Sequence, residues 1–565
     1  MNDTPLQTLL EAGEACVAAI GAELARRTRG GRDIDDHQVA VRQYAGAATR
    51  MAAAHALAVH AAAAPPAERE RAGAIARLYV AEVVGALRAD AEQFAADLGL
   101  DHPEHEHMLA AGIGGDAVRQ TLRALRRESA YRDLAGEAQI DAGFAEHGWI
   151  AAREPGAAGP SDDDLVLELR TSTRRFARER VAPLAQRIHI DDLLVPDEII
   201  DAMGELGFFG MSLPAEYGGA GMSNLMMVVA TEELSAASLP AAGSLITRPE
   251  VICKALLAGG TEAQKQRWLP PLASGEMMAA VSVTEPDTGS DVASLRCRAT
   301  RAEVGGVSGW CIDGAKAFST FAGRADVLGI LARTDPDPAA GHRGLSLFIA
   351  EKTRFHGHDF DDVQPGGGRL TGTAERTLGY RGMHSYTLRF ERFFVPGDGL
   401  VGGEAGLGRG FYLQMAGFAA GRLQTGGRAC GLAQASLEAA ARYTAERPQF
   451  GRPIVDFQST RYELGRMQVA LAAARQLTYA AARAMDRGAA DAHLRAAMAK
   501  LLACRVAVDL SQRAQLLHGG WGYAEEFPVA RYVADALVLP IFEGVEPILE
   551  MKVIGRGLLQ AAADA

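Results

Sequence analysis

Apolar positions recur at three- and four-residue spacings through residues 1 to about 150, as in Ala76-Arg77-Leu78-Tyr79-Val80 through Leu87, a period that predicts amphipathic helices. The stretch Arg153 to Asp164, rich in Pro, Gly, Ser and Asp, reads as a linker. Helical periodicity returns from Leu165 to about Glu276, with one break at Leu213-Pro214-Ala215-Glu216-Tyr217-Gly218-Gly219. Between Ala279 and Val395 the pattern changes to short apolar runs (278–283, 326–331, 345–349 and 386–390) parted by Gly, Pro and Asp turns. These predict a small antiparallel sheet or barrel. After the Gly-rich join Gly402 to Gly410, long helical segments run to the C-terminus. The expected domains are an all-α extension over 1–155, a helical domain over 156–278, a central β domain over 279–400 and a C-terminal helical domain over 401–565.

Composition narrows this picture without redrawing it. Charged residues make up 23% and hydrophobic residues 48%, the balance of a folded globular chain. Aromatics are only 6% while alanine dominates the first 160 residues and the segment after Gly427, which favours helix. The net charge of −12 and the lack of a long basic run argue against a nucleic-acid partner. Cys16, Cys253, Cys297, Cys311, Cys430 and Cys504 form no CxxC pair, so neither a disulfide framework nor a zinc site is indicated and no metal ligands are assigned. The N-terminus lacks the basic and apolar regions of a signal peptide, and the apolar stretch Met51 to Pro66 is interrupted by His55 and His60 and too short to span a bilayer. A cytoplasmic, non-membrane protein is expected.

Several local sequences carry chemistry. Val283-Thr284-Glu285-Pro286-Asp287-Thr288-Gly289-Ser290-Asp291 ends a strand in a turn with small hydroxyls, which suits either a plain polar turn or a ligand loop. Asp313-Gly314-Ala315-Lys316-Ala317-Phe318-Ser319-Thr320 reads as a turn followed by a strand. Glu446-Arg447-Pro448-Gln449-Phe450-Gly451-Arg452-Pro453-Ile454 is a basic loop between helices, and Asp456-Phe457-Gln458 opens the next one. Gln515-Leu516-Leu517-His518-Gly519-Gly520 places glycines where a helix stops, as a C-cap or as backbone N–H groups for an anion. In Ile541-Phe542-Glu543-Gly544-Val545-Glu546-Pro547 an acid stands between apolar residues and glycine, either as a helix N-cap or as a desolvated general base.

Taken in order, these elements resemble the acyl-CoA dehydrogenase family over about Asp162 to Gln560. The resemblance implies a mainly α fold: a helical domain, a central β domain and a C-terminal four-helix bundle, with the N-terminal all-α extension added. It implies FAD between the β domain and the C-terminal helices, with a neighbouring subunit completing the site. Glu543 would be the base that removes the α-proton, while the β-hydrogen leaves as hydride to flavin N5. Gly421, before Arg422, occupies the position from which some members supply the base, and glycine cannot serve. For the flavin the resemblance points to Val283, Thr284, Gly289, Ser290 and Thr320 around the isoalloxazine. Arg447, Phe450, Gln458, Gln515, Gly519 and Gly520 would lie along the adenosine pyrophosphate. Arg422 and Gly544 would contact substrate.

Two departures stand beside this. Phe318-Ser319-Thr320 replaces the usual Trp-Ile-Thr, and Glu543-Gly544-Val545-Glu546-Pro547 loses a threonine after the signature and places a proline in the following turn. The extension is read either as a stabilising or dimerising appendage or, from the parallel between Asp36-His37-Gln38 and Asp456-Phe457-Gln458, as a degenerate copy of the C-terminal helices. Together with 187–196 and 378–383 it resembles the methylsuccinyl-CoA dehydrogenase subgroup, which implies a short, branched acyl chain bearing a carboxylate. Arg248 is then either a carboxylate clamp or a surface arginine at a helix start. The expected partners are an electron-transfer flavoprotein and further copies of the chain, as a homodimer or homotetramer. An oxygen-using oxidase or flavin monooxygenase on the same scaffold, and a non-catalytic acyl-CoA-binding or assembly subunit, are the competing readings.

Overall fold

The computed structural model describes residues 3–97, 113–136 and 162–564, so most of the linker sequence, residues 153–161, lies outside the described residues together with the boundary expected at 155. The chain divides into two compact units, one made of residues 1–172 and 425–565, the other of 173–424.

In the first unit, helices α1 (Thr4–Arg27), α2 (Gln38–Ala63) and α3 (Pro66–Asp97) follow one another in the extension. Their core mixes large apolar side chains, among them Leu9, Ile20, Tyr44, Met51, Leu87 and Phe94, with glycines that let those side chains approach closely. A Cβ at Gly21 would lie 2.3 Å from the Tyr44 hydroxyl, and one at Gly13 2.8 Å from the Met51 sulfur. Small residues at these points leave room for the neighbouring large side chains, so the alanine-rich helices still pack densely. The same unit holds the helices at the other end of the chain, including Gln458–Asp486, Ala492–Leu517 and Arg556–Asp564. A Cβ at Gly465 would meet the Tyr131 carbonyl at 2.0 Å, and one at Gly555 would meet Val41 at 2.4 Å. Arg42 and Arg505 both pair with the buried Glu550, at 2.9 and 2.5 Å, and Lys552 reaches Asp35 at 2.5 Å.

The echo between the chain ends has a structural counterpart. Ile34–Asp36 and Ile454–Asp456 each form a single tight turn, and a long helix then opens at Gln38 and at Gln458.

His60, 3% exposed on α2, adds a pH dependence to this unit. Burial, followed by the positive charges of Arg483 and Arg475, lowers its pKa from 6.5 to about 4. The unfolded chain therefore takes up a proton near pH 6.5 that the folded chain refuses until about pH 4. Stability contributed by neutral His60 is present above that window and is lost as pH falls through it. His60→Gln is expected to flatten the loss of unfolding free energy between pH 6.5 and 4.5 by on the order of 2 kcal/mol, measured by denaturant titration.

In the second unit, helices Asn224–Ala237, Thr247–Gly259 and Glu262–Ser274 precede an eight-stranded sheet. Its strands are β1 (Ala279–Ser282), β2 (Arg298–Val304), β3 (Val307–Thr320), β4 (Val327–Arg333), β5 (Leu345–Glu351), β6 (Asp359–Val363), β7 (Arg369–Ala374) and β8 (Ser385–Pro396). They run in the order β1-β4-β2-β3-β8-β7-β6, with β5 paired to β4. Pairing is antiparallel except where β4 meets β1 and β2. The four apolar runs of the sequence correspond to β1, β4, β5 and β8. Ile252, Leu256, Trp268 and Leu269 pack on Val327, Leu347 and Ile349, which fixes the helices against one face of the sheet. Among the described residues no helix is long and apolar enough to cross a membrane.

Candidate active site

In the second unit, the ends of β1, β3 and β8 converge. The Ala317 N–H donates to the Thr284 carbonyl at 2.8 Å, Ser319 Oγ donates to Ser282 Oγ at 3.0 Å, and Thr320 Oγ1 lies 2.9 Å from Ser385 Oγ. A Cβ at Gly289 would be 3.7 Å from Thr284 Cγ2, so the turn folds back on the strand end. Val283 is buried, Thr284 and Thr320 are half-buried, and Gly289 and Ser290 are exposed. Ser385, absent from the sequence expectations, joins this group because β8 pairs beside β3. The departure from Trp-Ile-Thr also acquires a reason: buried Ser319 finds its partner in Ser282, while Phe318 at φ 53° turns outward and is 63% exposed.

The turn itself is pinned from below. Lys316 Nζ, wholly buried, donates to the Val283 carbonyl and to Glu285 Oε1, each at 2.9 Å. The other donors to Glu285 are the backbone N–H groups of Arg296 and Cys297, both at 2.8 Å. Both oxygens of this buried carboxylate therefore accept hydrogen bonds, one of them from its cation, as burial of a charge requires. The lysine of the DGAK segment is thus a structural post for the VTEP turn.

In the first unit, Arg447, Gly519 and Gly520 line one surface concavity of about 630 Å³ with Tyr443, Gln449 and Ile454. The glycines follow the helix Ala492–Leu517 and open a further tight turn, with Gly519 at φ 60°. A Cβ at either glycine would meet no atom within 4 Å, so an anion has room to approach the backbone there. Gln515 is engaged elsewhere, donating to the Gly522 carbonyl at 3.1 Å. Gln458 is exposed at the start of its helix, and Phe450 is 93% exposed at φ 53° in the hairpin loop. Residues with open backbone, an arginine and exposed rings fit the pyrophosphate and adenine end of a dinucleotide.

Glu543 is half-buried in a loop held on several sides. Its φ is 56°, a left-handed conformation that costs a non-glycine residue about 1–3 kcal/mol and persists only where surroundings impose it. Gly544 follows at φ 104°, and its carbonyl accepts from buried Lys500 Nζ at 2.8 Å. The Arg428 guanidinium, fully buried, stacks 4.8 Å over the Phe542 ring. Glu546 N–H donates to the Pro540 carbonyl at 2.9 Å, and its carboxylate pairs with Arg505 at 2.7 Å. Glu543 is not a helix N-cap: the cap of the following turn, Glu546–Ile548, is Val545. Pro547 does not interrupt that turn either. It sits among the first helical positions, where no intrahelical N–H is needed.

The remaining residues lie on helices of the second unit. Arg422 is half-buried on Gly410–Glu446, next to buried Gly421. Arg248 stands at the start of Thr247–Gly259 and donates to the Ser244 carbonyl and to Thr247 Oγ1, both at 3.2 Å.

Sequence and structure comparisons converge on one class. Family models match residues 164–276 as the acyl-CoA dehydrogenase N-terminal domain, 280–393 as the middle domain and 408–559 as the C-terminal domain. The chain belongs to the acyl-CoA dehydrogenase family and is an oxidoreductase acting on acyl-CoA. Members of this family are FAD flavoproteins. Among individual relatives, the (2S)-methylsuccinyl-CoA dehydrogenase of Cereibacter sphaeroides is 40% identical over 483 residues, spanning 85% of this chain and 82% of that one. The butyryl-CoA dehydrogenase of Megasphaera elsdenii superposes with a TM-score of 0.64 at 30% identity, over 71% of this chain and all of that one (100%). A chain from the structure of the electron transferring flavoprotein of Acidaminococcus fermentans gives a TM-score of 0.65 at 31% identity, over 72% and 100%.

Proposed function

We propose that the protein catalyses α,β-dehydrogenation of a short, branched or carboxylated acyl-CoA of the methylsuccinyl-CoA kind, with FAD as its cofactor. The observation that carries this reading is Glu543, a carboxylate in a strained backbone conformation braced by buried cationic residues. The similarity to the methylsuccinyl-CoA enzyme extends beyond the three family domains and supports the substrate class. Bound FAD would supply the hydride acceptor. Val283, Thr284, Gly289, Ser290 and Thr320 are the residues for its ring system, and Arg447, Phe450, Gln458, Gln515, Gly519 and Gly520 those for its adenosine pyrophosphate.

Glu543 takes the α-proton of the thioester. Its backbone N–H is assigned to the thioester oxygen, where charge develops as the proton leaves. Gly544 and Arg422 contribute to substrate binding, and Arg248 is the cation for a substrate carboxylate, which a guanidinium grips with two parallel bonds. An electron-transfer flavoprotein is the acceptor in this reading. A homodimer or homotetramer is supported by exposed apolar side chains on the cofactor surface of the first unit: Phe450, Tyr523 at 88% and Leu516 at 79% exposure. A cytoplasmic setting is supported by six buried cysteines held as thiols.

The test is a visible spectrum of the purified protein before and after anaerobic addition of methylsuccinyl-CoA, then butyryl-CoA. Bleaching of a flavin band, faster with methylsuccinyl-CoA, is expected. Bleaching only by butyryl-CoA would overturn the substrate class. Rapid reoxidation of the bleached band by oxygen would favour an oxidase, and a colourless protein that takes up no FAD would leave a binding or assembly role.

A further inference from the structure

Away from the catalytic loop, three side chains of metal-ligating type meet in the second unit. Asp192, His358 and His384 each present a donor atom, and the three donors lie within 4.8 Å of one another. They come from different segments. Asp192 follows the helix Ala182–Ile190, His358 immediately precedes β6, and His384 immediately precedes β8. The backbone fixes each segment. The His384 carbonyl accepts from Phe321 N–H at 2.8 Å, the His358 carbonyl from Ala374 N–H at 2.7 Å, and Arg381 Nη1 donates to the His189 carbonyl at 2.8 Å beside the Asp192 turn. Asp192 at φ 54° and His384 at φ 44° both hold the left-handed conformation, so the fold bears strain to aim them.

The spacing matches the chemistry. His384 Nε2 stands 3.2 Å from Asp192 Oδ1. Two ligands bound at about 2.0–2.1 Å to one tetrahedral ion are separated by about 3.3 Å. The His358 ring centroid lies 4.5 Å from that of His384. His358 is exposed, which leaves its ring open to an ion arriving from solvent, whereas His384 is 4% exposed. Arg381 Nε, 3.6 Å from Asp192 Oδ1, is the cation an incoming ion competes with.

We propose that Asp192, His358 and His384 form a binding site for a divalent ion of the zinc class, with water completing its coordination. Two imidazoles and one carboxylate suit zinc, cobalt or nickel, and a set with so few oxygens excludes calcium and magnesium as natural occupants. The ion would tie the turn after Ala182–Ile190 to the sheet margin that carries Ser385, the partner of Thr320. Its role is that of a clamp rather than a reactant.

The test uses the full-length flavin-loaded protein, treated with a chelator and titrated calorimetrically with zinc alone. One saturable ion per chain and a zinc-dependent rise in thermal midpoint are expected. His358→Gln, at an exposed position, should weaken binding by at least ~10-fold and abolish the thermal shift. His356→Gln, whose ring is nearby and 56% exposed, should leave both unchanged and so serves as the control for surface histidines. Because the readouts are ion binding and thermal midpoint, they stand apart from turnover. Non-saturating uptake, or equal affinity in the His358 variant with an unchanged flavin spectrum, would overturn the site.

Discussion

Glu543→Gln is expected to lower kcat by at least ~10³-fold while leaving FAD content and acyl-CoA binding close to the parent values. The substitution keeps the shape and removes the ability to take a proton, and positioned general bases contribute about 10²–10⁴-fold. Gln also retains the left-handed strain at φ 56°, so any change in loop geometry is small. Glu543→Asp should fall between the two, because the carboxylate remains but is withdrawn by one methylene. The measurement is single-turnover bleaching of the flavin band, which reads proton and hydride loss without product release. A Gln variant that bleaches within tenfold of the parent rate would remove Glu543 from the mechanism and send the search to another acid.

The second large effect concerns stability. Lys316→Met should destabilise the second unit by about 3–5 kcal/mol, because Glu285 would be left as a buried charge with its cation gone. For a unit of this size that corresponds to a fall in thermal midpoint of roughly 6–20 °C. Flavin should be lost as well, since the post beneath Val283 disappears with the lysine. The double variant Lys316→Met, Glu285→Gln should recover part of the loss, because it removes the stranded charge while an amide oxygen still accepts one of the Arg296 and Cys297 N–H groups. Differential scanning calorimetry of the single and double variants decides the matter. A single variant as stable as the parent would mean that solvent reaches Glu285 and that the turn stands without its post.

What was legible in the sequence follows from locality. The VTEP turn and the glycine pair after Leu517 are short segments whose residue types announce their backbone needs, whereas the segment at Glu543 places its helix cap at Val545 rather than at the acid. Strands β1, β4 and β5 are largely apolar, and β8 alternates apolar with polar residues over 386–390, the two patterns that mark a strand. Strands β2, β6 and β7 escaped notice because they carry few large apolar residues among charged and small ones, as in Arg298–Val304 and Arg369–Ala374. Of β3 only the part after Gly314 was legible, because that glycine, at φ 140° within an irregularity of the continuous strand, reads locally as a turn. The Lys316–Glu285 pair joins residues 31 apart and the Asp192–His384 pair residues 192 apart, and no local pattern signals either contact.

The union of the chain's two ends has a consequence for how the protein is made. Helices α1 to α3 leave the ribosome before the helices that follow 458, yet part of the surface they cover belongs to those later residues. At synthesis rates of about 5–20 residues per second, their final neighbours arrive roughly 20–80 s later. During that interval the nascent extension carries an uncovered face. Val41 on α2, which meets Gly555 in the finished fold, belongs to that waiting face. The extension thus depends, for part of its covering, on helices made much later in the same chain.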